Sequence, residues 1–407
     1  MNIGFIGLGK LGLPCALAVE SKGHSVWGYD INPEVETIIS TKKLPYREIW
    51  AQDHLDKSDI KFSTISEVVK NSEIIFVPIQ TPHDERFEGI TRIPEERVDF
   101  DYTFLKAGIK DLADEIQRQE TEKVVIIIST VLPGTIEREI KPVLNEYVKL
   151  CYNPFFIAMG TTMRDFLHPE YVLFGVDDEE AAEKAESFYK TLHNRPFYKT
   201  RIKNAELIKV AYNTFIGMKI AYANTMMEIC HKIGADVDAV TGAMSLATER
   251  LISGKYLSGG MGDGGGCHPR DNIAMSWLAK KLDLSYDFFE SLMIGREQQT
   301  EWLADLIQDH EGPVTILGKA FKEETNLTVG SPSILLKNIL EERGIEVSMY
   351  DPHVDSHELD LSTSGVFFIG TKHSEFNNYK FSKGSIVLDP WRYISDQEGV
   401  EVIRIGQ

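Results

Sequence analysis

The stretch that most restricts how this chain can fold is its beginning. Met1–Phe5 is a short apolar strand, and Gly7-Leu8-Gly9-Lys10-Leu11-Gly12 follows at once. Leu13–Ser21 reads as a helix, and a second strand, Ser25–Tyr29, ends at Asp30. This is G-x-G-x-x-G in its strand–turn–helix setting with an acid at the next strand end. In such a unit the first glycine makes the tight turn and the second lets a pyrophosphate approach the backbone. The third lets the helix pack on the strand, and the acid takes ribose hydroxyls. Gly7, Gly9, Lys10, Leu11, Gly12 and Asp30 are therefore predicted to hold a dinucleotide. The carboxylate of Asp30 repels a 2′-phosphate, so NAD is expected rather than NADP.

The alternation of strand and helix continues. Ile74–Val77 leads into Gln80-Thr81-Pro82, and Val124–Ile128 is a continuous apolar run, as in a parallel strand buried on both faces. It runs into Ser129-Thr130-Val131-Leu132-Pro133-Gly134-Thr135. Ligands gather where parallel strands end, so Thr81, Pro82, Ser129 and Thr130 join the cofactor candidates. Leu150–Tyr152 and Val172–Gly175 read as further strands. Around Arg201 the texture changes. Asn204–Lys232 lacks proline, and Leu207, Ile208, Ala211, Phe215, Met218 and Tyr222 fit a helical period. Apolar on more than one face, this helix suits a spine buried between domains or subunits. Lys209 and Asn213 share one face of it. Helical text resumes from Asn272 to Asp309. Pro313 then opens a second α/β unit, with strands Val314–Leu317, Val347–Tyr350, Val366–Ile369 and Ile386–Leu388 and a helix over Ile334–Arg343.

Between the two helical stretches lies Gly259-Gly260-Met261-Gly262-Asp263-Gly264-Gly265-Gly266-Cys267-His268-Pro269-Arg270-Asp271-Asn272. Without Cβ atoms, backbone N–H groups in such a loop can lie close against an anion or a tight substrate. Cys267 at its end is a candidate nucleophile, the thiolate being the reactive form. The other cysteines, Cys15, Cys151 and Cys230, are widely spread and make neither a disulfide framework nor a CxxC metal pair. No metal is expected, and a reducing cytoplasm is the expected compartment. The net charge of -19 excludes nucleic acid and anionic membrane as natural partners. The apolar start lacks a basic n-region and reads as a buried strand, and no run is long enough to span a bilayer.

Taken together and in order, these motifs resemble the UDP-glucose/GDP-mannose dehydrogenase family over essentially the whole chain. They are the Gly7 to Gly12 turn with Asp30, Thr81-Pro82, Ser129-Thr130-Val131-x-Pro-Gly-Thr and Asn153-Pro154. Then come Glu206-Leu-Ile-Lys209-x-x-x-Asn213-Thr214, Gly262-Asp-Gly-Gly-Gly-Cys-His-Pro-Arg-Asp271, and Gly318-x-Ala-Phe-Lys322 with Ser331-Pro332. The resemblance implies two Rossmann-like α/β domains joined by a central helical domain with a long spine helix. The expected divisions are 1–200 for NAD binding, 201–311 for dimerisation and the cysteine loop, and 312–407 for the nucleotide sugar. It implies an NAD-dependent enzyme that oxidises the C6 hydroxyl of a UDP-sugar, UDP-glucose by default, to a uronate. Two hydride transfers pass through a Cys267 thiohemiacetal and thioester. Carried over by position, Lys209 stabilises the C6 oxyanion and Asn213 donates to it, while Asp271 and Thr130 hold the water that moves the proton. Arg250, Lys322 and Arg392 are the basic candidates for the nucleotide diphosphate. Tyr256, Leu257, Gly262, Gly264 and Phe321 line the nucleotide-sugar side, and the spine helix implies a homodimer or larger homo-oligomer.

The chain also departs from the family pattern. Phe155 and Met159 stand where members carry acids after Asn-Pro, the first linked to thioester hydrolysis. Val329 replaces an arginine associated with the cofactor, Arg270 replaces a lysine, and His268 is an unusual neighbour for the cysteine. Three alternatives follow. The enzyme stops at the aldehyde or diverts the thioester, the chain is a β-hydroxyacid dehydrogenase relative, or it is a nucleotide-sugar-binding module whose catalysis has decayed.

Overall fold

The structure is a computed structural model that describes residues 1–82, 84–248, 256, 258–281 and 287–407, so Arg250 and Leu257 lie outside the described residues. The chain forms two compact units, Met1–Pro82 with Phe100–Ala211 and His83–Asp99 with Tyr212–Gln407.

The first unit is built on β1 (Asn2–Ile6), β2 (Ser25–Tyr29), β3 (Lys61–Phe62), β4 (Ile74–Val77), β5 (Lys123–Ile127), β6 (Val148–Tyr152), β7 (Val172–Gly175) and β8 (Phe197–Thr200). They form one sheet in the order β3-β2-β1-β4-β5-β6-β7-β8. The first six strands run parallel, and β7 turns antiparallel to β6 where Tyr152 faces Gly175. Every residue of β4 and β5 is buried, as their continuous apolar text requires. The helix Gly12–Glu20 is buried from Gly12 to Val19, so it crosses the sheet as a core element.

In the second unit β9 (Val314–Leu317), β10 (Val347–Tyr350), β11 (Val366–Ile369), β12 (Ile386–Asp389) and β13 (Glu401–Arg404) form an all-parallel sheet in the order β10-β9-β11-β12-β13. Strand alternation sends Phe368 to one core, with Leu335, Leu336, Ile339 and Leu340 of the helix Pro332–Glu342. It sends Phe367 and Ile369 to the other, with Phe376 and Phe381. Ser331 caps that helix by accepting the Ser333 N–H, with Pro332 as its first residue.

The helix Ile202–Ile233 is the longest of the described elements. The boundary between the units falls within it. The single helical run expected from Asn272 to Asp309 is two helices, His268–Lys281 and Phe288–Gln308. The second begins where Asp287 accepts the Glu290 N–H as an N-cap, which restarts the hydrogen-bond ladder. The first begins earlier than expected, because Pro269 suits a helix start. Both α/β sheets and the helical middle match the architecture expected from sequence.

Candidate active site

The dinucleotide turn is formed as its glycines require. Gly7 has φ +108°, a region closed to most side chains, and its N–H donates to the Tyr29 carbonyl at 2.8 Å. A Cβ on Gly12 would meet the Gly7 oxygen at 2.2 Å, so the helix reaches the strand only without a side chain there. Gly9 has no atom within 4 Å of the position its Cβ would take, which leaves the backbone open to a pyrophosphate. Asp30 accepts the Leu8 N–H at 2.6 Å and the Asn32 N–H at 2.8 Å, fixing its carboxylate beside the turn. These residues fit NAD. On the same unit Thr81 Oγ1 donates to the Thr130 carbonyl at 2.9 Å, and the Ser129 hydroxyl donates to the Ile79 carbonyl. The two polar strand ends predicted from sequence are thus tied together.

Glu206 completes this side of the site. Its carboxylate, fully buried, accepts the N–H of Gly134 at 2.5 Å and of Ile136 at 2.7 Å. Burial raises the Glu206 carboxyl above its ordinary value, against the pull of the Ile136 and Gly134 N–H groups. The Ser129–Thr135 turn is therefore anchored to the helix that carries Lys209 one turn further on. Lys209 is 5% exposed, and its ammonium sits 5.4 Å from the Phe156 ring centroid.

Phe155, in place of an acid, packs its ring 5.2 Å from Phe166 and 6.5 Å from Phe76. Its neighbour Asn153 donates to the Leu173 carbonyl and accepts from the Tyr189 hydroxyl. At this partly buried aromatic position an ionised carboxylate would lose part of its solvation without a partner. Met159 stands one residue before Gly160, whose N–H donates to Glu48 at 2.9 Å.

In the second unit Asn213 Nδ2 donates to Asp271 Oδ2 at 2.6 Å. Arg270 holds the other oxygen of that carboxylate through Nε at 3.0 Å and Nη2 at 2.9 Å. Asp271 is fully buried, and its N–H donates to the Cys267 carbonyl at 2.8 Å in the opening turn of the helix. Cys267, part-exposed, is thus one helical turn from a buried, doubly held carboxylate. The departure at Arg270 has a visible consequence, since a guanidinium fork grips a carboxylate in a way lysine cannot.

The glycine loop is shaped by close packing. A Cβ on Gly260 would meet Trp391 at 2.3 Å, and one on Gly264 would meet Pro332 at 2.8 Å and the Gly330 oxygen at 3.0 Å. Gly265, at φ +82°, lies against the Phe321 ring. Phe321 and Gly264, both predicted on the nucleotide-sugar side, therefore lie together, with the Lys322 ammonium 5.7 Å from the Phe321 ring, whereas Gly262 lies against Arg296 and Gln299. Tyr256 has φ +68°. Arg392 turns its guanidinium to Asp238, at 2.7 and 3.0 Å, and donates to the Gly259 carbonyl at 2.9 Å, so it props the start of the loop. Val329, 39% exposed, faces the same loop at Gly266.

Two contributors carried no assigned role in the sequence. Glu206 shares the helical face of Lys209 and Asn213, and that spacing was its signal. Arg296 is 4% exposed and holds Asp263 of the glycine loop at 3.0 Å and the Gly89 carbonyl at 2.8 Å. No short motif marks it.

Known proteins share this organisation. The NAD binding domain of the UDP-glucose/GDP-mannose dehydrogenase family matches residues 1–193, its central domain 203–294 and its UDP binding domain 315–396. The UDP-glucose 6-dehydrogenase YwqF of Bacillus subtilis is 26% identical over 407 residues, covering 96% of this chain and 88% of its own. The GDP-mannose 6-dehydrogenase of Pseudomonas aeruginosa is 26% identical over 369 residues, with 87% and 82% covered. In fold, the chain superposes on a UDP-glucose dehydrogenase of Pyrobaculum islandicum with TM-score 0.86 at 23% identity, covering 99% of this chain and 96% of that one. For the UDP-D-ManNAc dehydrogenase of Pyrococcus horikoshii the TM-score is 0.83 at 24% identity, with 100% and 99% covered. With all three family segments matched in order, the chain belongs to the UDP-glucose/GDP-mannose dehydrogenase family, NAD-dependent oxidoreductases that act on nucleotide sugars.

Proposed function

We propose that this protein oxidises the C6 hydroxyl of a UDP-sugar, UDP-glucose first among them, to the uronate. The observation that carries the reading is the opening of the helix His268–Lys281. There a part-exposed cysteine precedes by one turn a buried aspartate held by Asn213 and Arg270. The relatives named as UDP-glucose 6-dehydrogenases support the choice of sugar.

Gly7, Gly9, Lys10, Leu11, Gly12 and Asp30, with Thr81, Pro82, Ser129 and Thr130 beside them, would hold NAD, and two NAD bound in turn would supply one hydride acceptor for each oxidation. Lys209 and Asn213 stabilise negative charge on the C6 oxygen. Asp271 and Thr130 hold the water that takes the hydroxyl proton. The Cys267 thiolate adds to the C6 carbon of the aldehyde and forms a thiohemiacetal. Loss of the second hydride leaves a thioester, and water cleaves its C–S bond to release the uronate and restore the thiol. Lys322, Phe321, Tyr256, Gly262 and Gly264, with Arg250 and Leu257, take the nucleotide. Arg392 serves that side through the Gly259 carbonyl it holds. The three segments 1–200, 201–311 and 312–407 divide these tasks in a cytoplasmic homodimer. Exposure of Leu207 (44%), Phe215 (40%) and Tyr222 (46%) along the helix Ile202–Ile233 supports the dimer.

A second reading, release at the aldehyde or capture of the thioester by another nucleophile, is favoured by Phe155 in its aromatic cluster. One assay separates the two. The protein is incubated with excess NAD and a panel of nucleotide sugars, and NADH and product mass are read together. Two NADH per sugar with a uronate supports the full oxidation. One NADH with an aldehyde, or a protein thioester that persists, supports the second reading. No NADH with any sugar refutes both.

A further inference from the structure

The carboxyl edge of the second sheet carries a cluster that the dehydrogenase chemistry does not use. In the order β10-β9-β11-β12-β13 the chain leaves β9 for one neighbour and returns to the other, so the switch point lies at β9 and its flanking strands. Ligands of doubly wound sheets bind at such an edge. Glu324 follows β9, His353 follows β10, and His373 and Glu375 follow β11. One ligand-type atom from each of the four lies within 4.8 Å of all the others.

The cluster has the parts of a coordination sphere. His353 Nε2 stands 3.3 Å from Glu375 Oε1 and 3.9 Å from Glu324 Oε2. Zinc–ligand distances of about 2.0–2.2 Å give tetrahedral ligand–ligand edges of roughly 3.3–3.6 Å, so the first separation already fits and the second needs a small contraction. The Ser374 hydroxyl lies 3.1 Å from Glu324 Oε1 and 3.3 Å from Glu375 Oε2, bringing two like charges together. His373 is fully buried, and its Nε2 faces Asp351 Oδ2 at 3.1 Å. A carboxylate behind a histidine ring is the usual outer partner of a metal-bound imidazole. His373 Nδ1 accepts the Glu324 N–H at 3.2 Å, and coordination through that nitrogen exchanges this long hydrogen bond for a metal bond. Both glutamates are exposed enough to admit an ion from solvent, at 48% and 39% of their side-chain surface.

We propose that Glu324, His353, His373 and Glu375 bind one divalent cation of the zinc class. Two imidazoles select such a borderline ion over magnesium or calcium, and two carboxylates neutralise its charge. The ion ties together three turns, one of which carries Phe321 and Lys322. Nothing in the sequence points to a metal, because the four residues come from three turns far apart along the chain.

The test uses full-length, untagged protein stripped with a chelator and then titrated with Zn²⁺ against a chromophoric competitor. One equivalent per chain is expected, with Co²⁺ substitution giving visible d–d bands of a four-coordinate site. His353→Ala and Glu375→Gln each weaken binding about tenfold or more, whereas His357→Ala, outside the cluster, leaves it unchanged. Glu375→Gln keeps the shape of a part-exposed side chain, so it carries the test if His353→Ala fails to fold. Absence of stoichiometric uptake, or uptake that both substitutions leave intact, overturns the proposal.

Discussion

Glu297 gives a sharp test of how the helix Phe288–Gln308 is held. It is 9% exposed, and its Oε1 accepts the Ile93 N–H. Burial pushes its carboxyl from the ordinary 4.5 up to about 7; Arg296, Arg92 and Arg97 pull it down, and Glu301 adds to the rise. The sign follows from linkage. A carboxyl whose folded value lies above its unfolded value holds its proton more tightly in the folded protein. Its contribution to stability is therefore full below about pH 4.5 and is lost as pH rises through about 7. A gap of roughly 2.5 units at 1.36 kcal/mol each makes the loss about 3 kcal/mol on the alkaline side. Glu297→Gln keeps a carbonyl acceptor for Ile93 and removes the ionisation. The variant should match the wild type near pH 4.5 and exceed it by up to about 3 kcal/mol at pH 8. Denaturant melts of both proteins across this range, compared by midpoint and slope, measure the difference. A gap that stays constant with pH, or a wild type that gains on the variant as pH rises, refutes the reasoning.

Further outcomes follow from the site. Asn213→Ala removes the 2.6 Å bond to Asp271 and leaves a buried carboxylate oxygen short of a donor. It should cost about 1–3 kcal/mol of stability and lower NADH production, read by melts and by absorbance. Cys267→Ala removes the nucleophile while keeping the fold. Under the proposed mechanism it yields no uronate and no protein thioester, checked by mass spectrometry of protein and product. Under the proposed dimer, Phe215→Glu sets a charge on the exposed stripe of the helix Ile202–Ile233 and should halve the particle mass seen by light scattering. Gly264→Val places a side chain where Pro332 lies 2.8 Å from the Cβ position. Overpacking of this kind costs about 1–3 kcal/mol, and the displaced loop should raise the KM for the nucleotide sugar.

How far the sequence could be read depends on how local each cause is. β2, β4, β7, β9, β10 and β11 end where the sequence reading placed them, because continuous apolar runs stop at glycine, proline or acid. β8 escaped that reading, since Phe197-Tyr198-Lys199-Thr200 is half exposed and carries little apolar signal. The antiparallel pairing of β6 with β7 is likewise a property of the sheet, absent from either strand's text. The helical face of Glu206, Lys209 and Asn213 was visible in their spacing. The role of Glu206 was not, because the Gly134 and Ile136 N–H groups it accepts lie far away in sequence. The same holds for Arg392, whose donors are taken up by Asp238 and the Gly259 carbonyl.

Phe155 shows why a departure from a family pattern needs the fold before it can be interpreted. In sequence it is only a missing acid. In the structure it joins Phe76, Phe166 and Tyr189, which lie in one buried aromatic cluster. A glutamate placed there, at a partly buried position packed against the rings, loses part of its hydration with no partner to replace it. Phe155→Glu therefore does not simply restore a lost catalytic acid. It should destabilise the first unit, and protonation should recover part of the loss, since burial raises a carboxyl's pKa and favours the neutral form. Melts of the variant at acid and neutral pH decide the matter. A variant as stable as the wild type at neutral pH would show that the site accepts an ionised acid. The substitution would then be a change of chemistry alone, without the support of packing.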